Sequence, residues 1–399
     1  MNWLRLLSLL SIAIGLSISH SLISIGVGGL ALLPFFQPFR QKLRETFLFW
    51  RLLYFPFALL YLLHGLSLIY TDDIHQWLIE MRIKVPFLFL LPTAMAAWLM
   101  TSENEKKLIH LAYHVSLLGV GLATFLRMLF NYEWALEEIR HSRYVPMVGG
   151  ISHIYYSALA LMGLFFSWTF PIYGSFWIRV IISCLYLVLL HGLALRTGLG
   201  ALYGTAAIMI LFWVLRYRQG WWWGLIGIGL LVGMLIAFIQ WVPPLQRRWW
   251  SLREDLALYQ QGRDLTHASV GRRLAALEAS WRVFLKNPLF GVGIADNQVE
   301  VFAEISQLPY QWKKETYILP HNQFVEYAIG LGLIGVGVFI AFWVGALWGG
   351  GGIGWVGWLG AWFLIMQVEA ILERQIGVTA FLWGTGLLRA HFYLTGRKL

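Results

Sequence analysis

Residues 221–241 read WWWGLIGIGLLVGMLIAFIQW, an uninterrupted run without a single charge. A helix of about 20 apolar residues is enough to cross the hydrocarbon core of a bilayer. The next stretch, residues 242–320, holds ten basic and eight acidic residues and must face water. An apolar span that opens directly into a large polar loop identifies a membrane protein. The rest of the chain agrees. Of 399 residues, 59% are apolar and 13% charged, and a soluble domain is nearer a quarter charged. That supply of apolar residues suffices for roughly twelve spans. Further runs fall near 3–17, 19–35, 48–69, 85–100, 108–130, 150–168, 175–193, 198–215, 322–346, 352–371 and 376–395. The expected fold is an all-α polytopic membrane protein with about twelve transmembrane helices and one large outer loop. The first run is expected to be a retained helix rather than a signal peptide, because no small-x-small cleavage site follows it.

The net charge of +10 suits cytoplasmic anchoring and anionic lipid better than nucleic acid. A single cysteine, Cys184, leaves no internal disulfide and no Cys-based metal cluster. The 22 tryptophans are expected to form interfacial belts. Lys and Arg in the connections set the orientation. One set holds Arg40, Lys42, Arg44, Lys106, Lys107, Arg216 and Arg218, joined by Arg5, Arg397 and Lys398. The other holds Arg82, Lys84, Arg140, Arg143, Arg196 and Arg374. The larger set places both termini in the cytoplasm and the 242–320 loop outside. The outer loops still carry more arginine than the rule expects, and an anionic outer substrate would account for the excess.

The long loop has a helix of its own. Val270, Leu274, Leu277, Trp281, Phe284 and Leu285 share one helical face, Ser269 can cap the start, and Asn287-Pro288 ends it. Arg272 falls opposite that face. Arg273 flanks it and can point toward the membrane body. A solvated pair is the plain alternative for both.

The sharpest chemical signal is His321-Asn322, at the mouth of a span. Pro320 precedes the pair and Asn322 can cap the helix. His321 then sits beside free backbone N–H groups and a positive dipole end, which attracts phosphate and favours a neutral, proton-accepting ring. The plain alternative is an interfacial polar residue. Glycines 330, 332 and 335 should let another helix approach closely. Arg196, in a very short connection at Leu195–Gly200, is either a snorkelling anchor or a guanidinium aimed at phosphate oxygens. Arg82 and Lys84, before Pro86, are phosphate ligands or ordinary anchors. No phosphate-cradling Gly-rich loop, zinc-protease motif or aspartate cluster is present.

With those residues in view, the chain resembles the bacterial O-antigen ligases. His321-Asn322, a nine-residue gap and Gly332-Leu333-Ile334-Gly335 match the pattern His-[Asn/Ser/Gln]-x9-Gly-x-x-[Gly/Thr/Tyr]. Arg196-Thr197 is similar to an arginine in a tight Thr/Ser-rich outer turn, although Leu195 stands where serine is common. Arg273 lies about 15 residues before the Pro288-Leu289-Phe290-Gly291-Val292-Gly293 turn, also as in that superfamily. The superfamily includes O-antigen polymerases and O-linked protein oligosaccharyltransferases.

The resemblance implies a membrane glycosyltransferase of the GT-C type in the bacterial inner membrane, with its active site facing the periplasm. The donor would be O-antigen polysaccharide on undecaprenyl pyrophosphate, and the acceptor a sugar hydroxyl of lipid A–core oligosaccharide. No nucleotide, metal or other cofactor is expected. His321, Arg196 and Arg273 are the expected catalytic residues. Arg82, Lys84, Arg272 and Asn322 are the further substrate-binding candidates. The chain would divide into membrane helices over 1–241, a periplasmic helical loop over 242–320 and membrane helices over 321–399. A polymerase or oligosaccharyltransferase is the alternative within the class. Outside it stands a polyprenyl-lipid or anion transporter, which would place its polar groups near the midplane of two related halves.

Overall fold

A computed structural model describes residues 1–140, 145–170, 175–217, 221–310, 320–348 and 352–395. Arg143, Arg218, Arg397 and Lys398, which enter the charge asymmetry, lie outside the described residues. Among the described residues there are helices and turns and no strand. The first half runs α1 (Asn2–Ile18), α2 (His20–Leu32), α3 (Gln37–Glu45), α4 (Phe47–Leu66), α5 (Ile74–Lys84), α6 (Leu90–Leu99), α7 (Glu103–Phe130), α8 (Tyr132–Arg140) and α9 (His153–Thr169). The second half runs α10 (Phe176–Gly192), α11 (Arg196–Tyr217), α12 (Trp221–Trp241), α13 (Pro243–Gln260), α14 (Ser269–Lys286), α15 (Asn297–Ile305), α16 (Gln323–Trp348), α17 (Ile353–Val368) and α18 (Gln375–Leu394).

Each of the twelve expected apolar runs coincides with helix. Five helices, α4, α7, α11, α12 and α16, are both long and apolar enough to cross a membrane unaided, and a sixth span results if the pair bent by 90° at residue 36 counts as one. The chain is therefore a multi-pass membrane protein. Several other apolar runs fold as shorter helices, such as α1, α10 and α17.

The core forms around α18, which is buried almost all round. A helix apolar on every side belongs in an interior or a membrane. Gly386 lets α18 approach α6 so closely that a Cβ there would stand 2.7 Å from the Leu91 carbonyl oxygen. Tryptophan occupies two environments. Trp98, Trp355, Trp358, Trp362 and Trp383 are fully buried, whereas Trp177, Trp222, Trp223 and Trp241 are exposed. Trp358 Nε1 donates to Thr385 Oγ1, the kind of partner a buried indole requires.

The charged loop adds α13, α14 and α15, packed around a small second core of Leu265, Ala275, Ala276, Ala279, Val283, Val301 and Ile305. Ile329 of α16 closes this core from the membrane side. α14 spans the expected residues, but it turns a different face inward. Its small residues are buried, while Trp281 and Leu285 are about 60% exposed. Ser269 does not cap it. Asp255 of α13 takes that role, accepting from Val270 N at 2.7 Å.

Candidate active site

α16 begins where the sequence suggests. Asn322 Oδ1 accepts from Phe324 N at 2.9 Å and Val325 N at 3.2 Å, satisfying two of the orphan donors of the first turn. Its Nδ2 donates to the Gln367 carbonyl at 3.0 Å, tying the start of α16 to the end of α17. His321 precedes the cap with φ +49°, a left-handed conformation uncommon outside glycine. Strain of that kind recurs at functional sites, where the surroundings hold it. The hydrogen bond from His321 Nδ1 to Glu369 Oε2, 2.8 Å, is one such restraint. A carboxylate only accepts, so this pairing assigns the proton to Nδ1 and leaves Nε2 as the acceptor nitrogen. Nε2 has no hydrogen-bond partner among the described residues.

Arg273 reaches the same carboxylate from α14. Its guanidinium donates to the Val368 carbonyl at 3.1 Å and lies 3.9 Å from Glu369 Oε2. Arg196 stands at the first position of α11, directly after a tight turn in which Ala194 has φ +49°. Arg196 and Arg273 line one cavity of about 670 Å³, walled by Leu235, Leu245, Trp249 and Leu364. Two guanidiniums at the rim of an apolar chamber suit a ligand with an anionic head and a hydrocarbon tail. Arg272 faces Asp255 rather than open water. Burial raises the Asp255 carboxyl above its ordinary range, more than the Val270 N–H, Arg196 and Arg272 lower it.

Lys84 and Arg82 part company. Lys84 is fully buried. Its ammonium donates to Glu373 Oε2 at 2.5 Å and to the Leu372 carbonyl at 2.8 Å. Glu373 also accepts from Gln323 Nε2 at 2.7 Å, and Gln323 Oε1 accepts from Leu372 N at 2.7 Å. Burial would raise the Glu373 carboxyl, but Lys84 outweighs it and holds it below the usual carboxylate range. Lys84 is thus committed to the protein. It clamps the turn between α17 and α18, which carries Glu369. Arg82 is exposed and makes no hydrogen bond or ion pair among the described residues. Lys84→Met leaves a buried carboxylate unpaired and should destabilise the fold by roughly 3–5 kcal/mol. The double variant Lys84→Met/Glu373→Leu should recover much of that loss. Thermal unfolding of the detergent-solubilised protein checks both, and an unchanged melting temperature for the single variant would contradict the clamp.

The structure therefore gathers His321, Asn322, Arg273 and Arg196 around one end of the helix bundle, with Arg272 behind Asp255. It adds residues that spacing does not reveal: Glu369, Glu373 and Gln323. One signal for the two acids was present. Both fall in the otherwise apolar stretch Val368–Glu373, and acids within apolar runs of a membrane protein are rare and usually functional. Glu369 is the carboxylate nearest His321, hydrogen-bonded to its ring and faced by Arg273.

The glycine motif has a structural meaning of its own. α16 is broken at Gly332, with φ 64° and ψ −161°. The approaching partner is the backbone of the 288–293 turn and not a helix. Val292 N donates to Ile329 O at 2.8 Å, Gly293 N to Gly330 O at 3.1 Å, and Leu333 N to Pro288 O at 2.8 Å. The two family-like motifs, Pro288–Gly293 and Gly332–Gly335, are thus partners in a single interlock.

An all-helical, multi-pass membrane protein with cationic groups converging at one end of the bundle is the class that fold and site define. Residues 180–340 match the family described as O-antigen ligase. That stretch holds Arg196, Arg272, Arg273, the 288–293 turn, His321, Asn322 and the broken helix, so the likeness to the O-antigen ligase superfamily rests on the same residues as the site. No curated protein matches the chain.

Proposed function

We propose that the chain is an O-antigen ligase of the bacterial inner membrane. It transfers O-antigen polysaccharide from undecaprenyl pyrophosphate to a sugar hydroxyl of lipid A–core oligosaccharide on the periplasmic face. The observation that carries this reading is the pairing of His321 with Glu369, beside Arg273 and the cavity that Arg273 shares with Arg196. In the reaction, the acceptor oxygen bonds to the anomeric carbon and its proton passes to His321 Nε2. The bond from that carbon to the diphosphate oxygen breaks, and the electron pair leaves with the diphosphate. Arg196 and Arg273 hold the diphosphate and stabilise the charge that builds on it. Glu369 orients the ring and offsets its positive charge once the proton has moved. A single displacement inverts the anomeric centre. The apolar walls take the polyprenyl tail, and the 242–320 loop covers the chamber between the membrane helices of 1–241 and 321–399.

The test is expression in a Gram-negative strain lacking its own ligase, supplied with the matching core. Restoration of the lipopolysaccharide ladder supports the ligase reading. Bare core, with longer chains accumulating on the polyprenyl carrier, would move an O-antigen polymerase into its place.

A further inference from the structure

The end of α17 and the connection from it to α18 border two cavities. Gln367 and Val368 face the chamber of the two arginines, while Glu369, Glu373 and Arg374 line another of about 320 Å³. This second chamber is lined about equally by polar and apolar surface, whereas the first is mostly apolar. Its remaining walls come from residues 15–20, where α1 ends and α2 begins, and from residues 149–152 with Tyr155 at the start of α9. Arg374 is exposed to it and makes no hydrogen bond or ion pair among the described residues. The Tyr155 hydroxyl also has no hydrogen-bond partner among them. The two lining carboxylates already have partners, Glu373 in Lys84 and Glu369 in His321, while Glu80 and Tyr155 lie within electrostatic reach of Arg374. The starts of α2, α9 and α18 border the chamber and bring the positive ends of three helix dipoles to it, against the negative end of α1.

We propose that this chamber binds the acceptor, an anionic sugar, with Arg374 gripping its phosphate or carboxylate group beside the Glu369–His321 pair. The proposal rests on the ligase reading and divides the two substrates between the chambers. The donor's diphosphate lies with Arg196 and Arg273. The acceptor's negative group lies with Arg374, and its hydroxyls meet Tyr155 and Glu369. Glu369 belongs to the acceptor chamber and hydrogen-bonds His321, so a sugar held there is delivered next to the ring that takes its proton.

The experiment measures binding of a short, delipidated core oligosaccharide to the full chain in nanodiscs. Three probes are compared: the phosphorylated oligosaccharide, the same after phosphatase treatment, and one whose only negative group is a sugar carboxylate. Unmutated protein should bind the charged probes roughly ten- to a hundredfold more tightly than the neutral one. Which charged probe binds better tells phosphate from carboxylate recognition. Arg374→Gln should abolish the preference and bind all three probes as weakly as the neutral one. Arg374→Lys should keep part of it, because charge survives while the planar fork is lost. Arg273→Gln, in the other chamber, should keep all of it. In transfer assays, Arg374→Gln should raise KM for the acceptor with kcat little changed. A preference that survives Arg374→Gln, or that disappears in Arg273→Gln, overturns the proposal. Failure of the ligase reading looks different: the unmutated protein would then leave bare core in the ligase-deficient strain while charge-dependent binding persisted through Arg374.

Discussion

His321→Ala should lower glycan transfer by about 100- to 10,000-fold, the range expected when a positioned proton acceptor is lost. The loss should appear in kcat, with donor and acceptor binding largely retained. Alanine also inherits the unfavourable φ of +49°, so a structural control is needed. His321→Asn provides it, because asparagine tolerates the left-handed region better than most residues and lacks the imidazole. Both variants should be equally inactive at equal membrane levels. Glu369→Gln should be impaired as well, because an amide can still hold Nδ1 but carries no charge to balance the ring or face Arg273. Wild-type transfer by His321→Asn would remove the ring from the mechanism and leave the two arginines as its centre.

The second large effect is expected on folding. At Gly332 the backbone lies in a region open essentially to glycine alone, and an added Cβ would stand 2.2 Å from the Leu289 carbonyl oxygen. The obstacle is backbone, so no side chain can move aside to relieve it. Gly332→Ala should destabilise the protein by more than about 3 kcal/mol, with little monodisperse protein recovered. Gly291→Ala should behave alike, since its φ is +72° and its Cβ would stand 2.2 Å from the Ile329 carbonyl oxygen. Gly337, five residues further along the same helix, has open space around it, and Gly337→Ala should be harmless. Equal melting temperatures for Gly332→Ala and Gly337→Ala would refute the interlock.

These residues also show what sequence alone can reveal. The cap at Asn322 was legible because capping is local: a polar residue just before an apolar run has few other uses. The apolar runs were legible for the same reason. The inward face of α14 was not. A helical wheel weights large apolar residues, yet this helix buries Ala275, Ala276 and Ala279 and leaves Trp281 exposed. Small residues permit the close packing of α14 onto its neighbours, and the wheel does not register that use of alanine. Glu369 and Glu373 escaped notice because they meet His321 and Lys84 across 48 and 289 positions of chain. No spacing rule connects residues so far apart.

The break in α16 bears on how the protein is assembled in the membrane. A helix normally satisfies its own backbone before it meets lipid, which lets a span be inserted alone. Around Gly332 that self-sufficiency fails: the carbonyls of Ile329 and Gly330 and the amide of Leu333 find their partners in the 288–293 turn. Those partners are made earlier in the chain and lie on the aqueous loop. The first half of α16 can therefore satisfy its backbone only once the 288–293 turn has folded against it. The seating of the first half of α16, with His321 at its mouth, thus depends on the folding of the turn.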